Sequence, residues 1–219
     1  MFHLFLNDMP LLKISENKFP DWSEVKKITQ LSIEPNSTTE IIKSFQKYSL
    51  FIISGECSIK VNGYEKMFLE NDSLFSDKKN ILIKSAHQKT EIVMVEGDWS
   101  DEIGDSAVFK MSKNSMSRNI GDPVDYPRSN DFDNHYHDFD EYWIILKGSG
   151  LAVSEGVKYK FVAGDIIATR VGEHHDLPEV YEEIHGIYFE TSLKGHKRIG
   201  HLWNHTHGVP DYSVREVII

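Results

Sequence analysis

In the run Asn134-His-Tyr-His-Asp-Phe-Asp-Glu-Tyr-Trp-Ile-Ile-Leu-Lys-Gly148, two histidines one residue apart are followed by a carboxylate and an apolar stretch that ends in glycine. On an extended strand side chains alternate between faces, so His135 and His137 project from one side and can grip a single ion. Glu141 can bring an oxygen to the same point from the next stretch of strand. Imidazole and carboxylate together suit a divalent first-row metal. Three ligands of a metal site thus fall between positions 135 and 141, and the fourth must come from elsewhere in the chain.

The elements that would position such a site read as strands. Leu50 to Ile53, Ser58 to Val61, Ile92 to Val95, Tyr142 to Leu146, Leu151 to Ser154 and Ile184 to Glu190 are short runs rich in Val, Ile, Phe and Tyr, separated by Gly, Asn, Asp and Ser. Val61-Asn-Gly-Tyr64 carries a hairpin signal, and Ser154-Glu-Gly-Val157 sits at the matching place. Many short strands at this spacing predict a sandwich or barrel rather than a parallel sheet crossed by helices. A local helix is expected around Asp21 to Thr29.

The chain also repeats itself at an offset of 93 residues: Gly55, Gly63, Phe68 and Asp72 fall on Gly148, Gly156, Phe161 and Asp165. One residue of slippage then aligns Val93-Met-Val-Glu96 with Ile187-Tyr-Phe-Glu190. In this register His135, His137, Glu141 and His175 correspond to Ile42, Ser44, Tyr48 and Leu82, a set that cannot bind a divalent cation. The first copy is therefore expected to be metal-free, kept to cover sheet edges or to build an interface. Gly104 to Pro127 is the natural connection between copies.

Bulk properties narrow the function classes. A formal charge of −10 repels a phosphate backbone, so nucleic acid is not an expected partner. No apolar run approaches the roughly 20 residues of a spanning helix, and the first residues lack a basic region and a small-residue cleavage site. Cys57 is the only cysteine, which excludes an intrachain disulfide and reads as a buried structural thiol. A soluble, cytoplasmic protein without membrane partners is expected. Nine of the eleven histidines lie at or beyond His135, so the chemistry is expected in the second half.

At these residues the sequence resembles the cupins, and specifically a two-domain bicupin. The first cupin motif, G-x5-H-x-H-x3,4-E-x6-G, is met by His135, His137, Glu141 and Gly148, with Ser129 in place of the leading glycine. The second, G-x5-P-x-G-x2-H-x3-N, is met by Gly164, Gly172 and His175, with Arg170 for the proline and Glu179 for the asparagine. The resemblance implies an all-β chain of two tandem jelly-roll barrels, and a single divalent ion (Fe, Mn, Ni, Co or Zn) held by His135, His137, Glu141 and His175. His174 competes with His175 for the last place, and spacing favours His175. Asp138, Asp140 and Asp176 are candidates to orient the imidazoles. The organisation expected is a degenerate barrel over 20–103, a connection over 104–130, a metal-binding barrel over 131–195 and a His-rich extension over 196–219. A homodimer is expected by resemblance only.

Three ligands from histidine and one from glutamate leave two octahedral positions open for substrate or water. Asp140-Glu-Tyr-Trp-Ile-Ile and Val153-Ser-Glu-Gly156 are similar to cupins labelled mannose-6-phosphate isomerase-like. The expected function is a metal-dependent isomerase, epimerase or lyase acting on a small polar metabolite such as a sugar or sugar phosphate, with His174 or Glu173 moving the proton. Some cupin lyases of dimethylsulfoniopropionate carry a catalytic tyrosine where Trp143 stands; Trp143 cannot supply that base, Tyr142 or Tyr136 could do so only from elsewhere, and that activity is not the favoured one. The alternatives are a non-haem iron dioxygenase and a non-enzymatic small-molecule-binding cupin. His196, His201, His205 and His207, with Lys197 and Arg198, read as an incidental polar extension, a lid over the open metal positions, or a second metal site.

Overall fold

The structure is a computed structural model that describes residues 11–192 except 79, 114–120, 131, 133 and 138. Every regular element among the described residues is a β-strand, and no helix is long and apolar enough to cross a membrane. The strands belong to two compact units, one formed by the described parts of Met1–Glu16 and Ser100–Ile219, the other by Asn17–Trp99. In chain order, β1 (Leu11–Lys13) belongs to the first of these. The other unit contains β2 (Val25–Ile33), β3 (Thr38–Ile42), β4 (Lys47–Ser54), β5 (Glu56–Val61), β6 (Tyr64–Leu69), β7 (Ser73–Ser76), β8 (Asn80–Ser85) and β9 (Thr90–Gly97).

Within Asn17–Trp99, two antiparallel four-stranded sheets run in the orders β2-β9-β4-β7 and β3-β8-β5-β6. Their inward faces share one core, built from alternate residues such as Leu50, Ile52, Ile81, Ile83, Ile92 and Met94, together with Tyr48 and Cys57. Burial pushes the Cys57 thiol up to about 11, which keeps it an unreactive packing group. The helix expected over Asp21 to Thr29 is absent. Val25–Ile33 is instead strand β2, paired along its length with β9. Its Val, Ile and Thr residues suit a half-buried pleated surface, and the ladder to β9 decides the conformation where local propensity is weak.

The other unit continues with β10 (Ser106–Met111), β11 (Glu141–Ser154), β12 (Val157–Val162), β13 (Asp165–Thr169) and β14 (His175–Glu190). Its strands form one sheet in the order β1-β13-β11-β14-β10, with β12 added to β11. Strands β11 and β14 are long, at 14 and 16 residues, and their mutual register shifts several times after Ile145. The first part of β11 pairs with β13 and the second with β12, so one strand serves two faces of the jelly roll. Gly148 makes this corner possible. Its φ is 89°, and a Cβ there would lie 2.2 Å from the carbonyl oxygen of Glu183 on β14. In the Asn17–Trp99 unit the chain breaks at the matching place, between β4 and β5.

The bend in β11 therefore depends on a residue with no side chain. Replacing Gly148 by alanine is expected to cost roughly 2–4 kcal/mol, combining positive-φ strain with a backbone clash. Gly156→Ala, at a hairpin position with φ 79° and nothing within 4 Å of the added carbon, should cost only about 1–2 kcal/mol. Urea unfolding of the two variants side by side checks this; equal losses would show that the close approach at Gly148 is not the deciding factor.

Candidate metal centre

The ligand candidates sit where the chain enters the two long strands. Glu141 is the first residue of β11 and His175 the first of β14. His135 lies beside His175 in an isolated antiparallel bridge, with backbone hydrogen bonds of 2.9 and 3.2 Å. The turn before β14 is tied to the same stretch, since Gly172 N donates to the His137 carbonyl at 2.8 Å. Four residues separated by up to 40 positions are thereby brought to one point. One ligand atom from each of His135, His137, Glu141 and His175 lies within 4.8 Å of the others, and all four residues are buried. The His135–His175 and His137–His175 ring centroids are 4.4 and 4.7 Å apart.

The orientation of each group follows from its other contacts. His137 Nδ1 donates to the Phe139 carbonyl at 3.1 Å and His175 Nδ1 to the Glu173 carbonyl at 3.0 Å. A carbonyl can only accept, so both rings carry their proton on Nδ1 and turn Nε2 toward the cluster. Those Nε2 atoms lie 2.8 and 2.9 Å from the same carboxylate oxygen, Glu141 Oε2. The second oxygen, Oε1, accepts a 2.7 Å hydrogen bond from Trp143 Nε1. Burial by itself would raise the Glu141 carboxyl. When Nε2 of His137 and His175 is protonated as well, their hydrogen bonds and charge outweigh that and hold it well below the usual carboxylate range. The group is therefore a carboxylate, with one oxygen fixed and the other aimed at the imidazoles.

This donor set fits a divalent cation. Three buried imidazoles and a buried carboxylate aimed at one point need positive charge between them, and a metal supplies it where protons otherwise must. Aromatic rings close the surroundings. Phe139 stacks on His137 with centroids 3.9 Å apart, Trp143 meets His175 edge-on at 5.6 Å, and Phe132 packs against both His135 and Trp143.

The three expected proton-transfer residues are not in this cluster. His174 follows the turn outward: its Nε2 is 2.7 Å from Asp122 Oδ2 and its backbone N–H donates to Glu155. The Glu173 carboxylate caps its own turn by accepting from Arg170 N at 3.2 Å, so only its carbonyl serves the site. Tyr142, fully buried, alternates with Glu141 and Trp143 along β11 and so faces the other side of the sheet. Alternation along the strand directs Tyr142 away from its ligand neighbour, and the turn before β14 directs Glu173 and His174. Asp140 accepts from Val171 N, and Asp176 pairs with Arg128 and Tyr126; the imidazoles are oriented by backbone carbonyls instead. Asp138 and the histidines at 196, 201, 205 and 207 lie outside the described residues. Sequence reasoning did not single out Glu190, which is buried and directly across the β11–β14 pair from Glu141. Its position as the partner of the ligand strand is the signal that only pairing reveals.

The register between the copies also needs correction. His135 and His175 face each other as Ile41 and Ile81 do in the Asn17–Trp99 unit, where those two are paired. Ile42 and Leu82, the residues first matched to them, are 61% and 41% exposed. At His135 and at His175 the offset is 94 rather than the 93 kept by Gly148, Gly156 and Phe161 between them, and with a side-chain period of two each one-residue shift exchanges the faces. The place of the imidazoles is occupied by Ile41 and Ile81 within an apolar core.

Fold and site together define a cupin-type jelly roll with a buried three-histidine, one-glutamate cluster able to hold a metal ion. No family model matches the chain. The uncharacterized protein y4oW of Sinorhizobium fredii is 36% identical over 202 residues, spanning 90% of this chain and 92% of that protein, and the chain belongs to the same family. A 59-residue stretch is 34% identical to the HTH-type transcriptional activator RhaR of Pectobacterium carotovorum, covering 27% of this chain and 19% of that one. Among solved structures, Bacillus subtilis oxalate decarboxylase OxdC superposes with a TM-score of 0.59 at 9% identity, covering 79% of this chain and 70% of that chain. It is a protein with Mn(II) centres. A cupin 2 conserved barrel domain protein from Leptotrichia buccalis gives a TM-score of 0.41 at 12% identity, covering 75% and 82%.

Trp143 fixes the oxygen of Glu141 that the imidazoles do not use. Trp143→Phe, which keeps the aromatic packing and removes the donor, is expected to weaken metal binding by about tenfold or more. Titration of the metal-free variant with Mn(II) or Co(II) measures this, and unchanged affinity would show that the bond does not position the ligand.

Proposed function

We propose that this protein is a bicupin enzyme in which one barrel holds a single divalent first-row ion through His135, His137, Glu141 and His175. It acts on a small polar metabolite such as a sugar or sugar phosphate, by isomerase, epimerase or lyase chemistry. The observation that carries the reading is the convergence of three imidazoles and one carboxylate, all buried, at the mouth of a cupin fold. Two tandem barrels are supported by the two compact units and by matched pairing: β9 neighbours β2 and β4 in one, as β14 neighbours β10 and β11 in the other.

When bound, the ion would supply Lewis acidity toward a carbonyl and hydroxyl oxygen. The chain's own residues do the rest. Trp143 holds Glu141 in place, so the carboxylate serves as a ligand rather than a mobile base. Phe132, Phe139 and Trp143 wall the histidines and keep the site dry, which strengthens electrostatic interactions inside it. Glu190 takes the proton-transfer role. Directly opposed residues of an antiparallel pair share a face at about 5 Å between Cβ atoms, so Glu190 stands beside Glu141 without being one of the four cluster residues.

Elemental analysis of untagged protein, with the His137→Ala, Glu141→Ala double variant alongside, should find about one metal equivalent that the variant loses. Solvent-deuterium exchange into ketose–aldose pairs then tests the chemistry: exchange should require metal and fall at least a hundredfold in Glu190→Gln, which keeps its metal. Absence of metal after reconstitution overturns the reading, and oxygen uptake with bound iron would replace isomerisation by oxygenation. The short similarity to a transcriptional activator favours one second reading, a metal-anchored binding module. Saturable sugar binding without exchange would support it.

A further inference from the structure

We propose that Arg128 is a positioning residue of the metal centre, acting through Asp176 on the neighbouring ligand candidate His175; this rests on the metal-binding reading given above. The stretch from Tyr126 to Asn130, the end of the connection expected from sequence, lies along the first residues of β14. Ser129 donates through N and Oγ to the Pro178 carbonyl at 2.8 and 3.1 Å, and the Asn130 amide donates to the Leu177 carbonyl. In the Asn17–Trp99 unit the matching edge is filled by β3, joined to β8 through a five-residue backbone ladder. Here, among the described residues, the backbone pairing consists of the His135–His175 bridge and the Ser129 hydrogen bond to Pro178. Side chains must therefore fasten the segment that brings Phe132 and His135 to the site.

Asp176 is the deepest of these attachments. It is fully buried, and it alternates with His175 and the core residue Leu177, so its carboxylate faces away from the metal cluster. Arg128 Nη2 lies 3.2 Å from Oδ1, and Tyr126 donates to Oδ2 at 3.0 Å. The Arg128 side chain is 4% exposed, and its Nε and Nη1 are buried without another hydrogen-bond partner among the described residues. Among the described residues, Asp176 is thus the anion that holds this guanidinium. A buried charge that loses its partner is strongly unfavourable, so neither group can move without the other. The backbone locked at Asp176 is the backbone that carries His175. Ligand imidazoles must be held within about half an ångström to keep their geometry.

The test is cobalt(II) titration of metal-free protein, read by affinity and by the visible ligand-field spectrum. Arg128→Met is expected to weaken cobalt binding ten- to a hundredfold and to shift the visible bands, while Arg128→Lys, which keeps the charge for a single contact, restores most of both. A general loss of stability would not move the bands of the folded fraction. Should Arg128→Met fail to fold, the Arg128→Met, Asp176→Asn double variant removes the unpaired charge and should still bind at least tenfold more weakly. Wild-type affinity and spectrum in either folded variant would overturn the proposal. Wild-type protein that binds no cobalt would overturn the metal reading, and this inference with it.

Discussion

The site depends on one carboxylate. Glu141 is buried at the start of β11 with two imidazole nitrogens on one oxygen and an indole N–H on the other. Taking a carboxylate out of water is costly unless it is paired and hydrogen-bonded, so its surroundings must be cationic or metal-filled. Each neighbouring feature serves that requirement. The carbonyls of Phe139 and Glu173 hold the ring protons on the far side of His137 and His175, and Phe132, Phe139 and Trp143 pack against the imidazoles.

Bringing the four residues together is a problem of strand geometry. Long strands that serve two faces must turn sharply, and β11 turns at Gly148, where the backbone of β14 leaves no room for a side chain. The candidate ligands then come from the beginnings of β11 and β14, which are laddered, and from the segment leading into β11, where His135 meets β14 in an isolated bridge. That short pairing leaves the site needing other restraints. The hydrogen bonds of Asn130 and Ser129 to β14, and those of Arg128 and Tyr126 to Asp176, supply them.

The two units show how the same pairing serves different ends. In one, the inward positions at the mouth are Ile41, Ile81 and Tyr48, continuous with an apolar core. In the other they are imidazoles and a carboxylate. A packed apolar core is stable as it stands, whereas a cluster of polar ligands exacts electrostatic strain that a bound cation relieves. A few inward side chains distinguish the apolar core of one unit from the candidate metal centre of the other.

Much of this was legible from residue order. Period-two alternation, the Asn-Gly turn and the paired His-x-His and Glu identify strands and candidate ligands, because those choices depend on local geometry and on the chemistry of each side chain. The all-β class and the four cluster residues needed no coordinates. Other features depend on which backbone lies beside which. Strand β2 is a strand because β9 pairs with it, although its local sequence admitted a helix. Ile41 rather than Ile42 faces inward because the stretch before the repeated glycines is displaced by one residue from their register. Glu190 becomes the neighbour of Glu141 across a ladder joining residues 49 positions apart, and Asp176 meets Arg128 across a similar distance in sequence. His174, Glu173 and Tyr142 carried suitable chemistry but were directed elsewhere by alternation and turn geometry. Side-chain chemistry is a local property read from the chain, but the facing of side chains across a ladder is set by long-range pairing, and only the tertiary structure decides it.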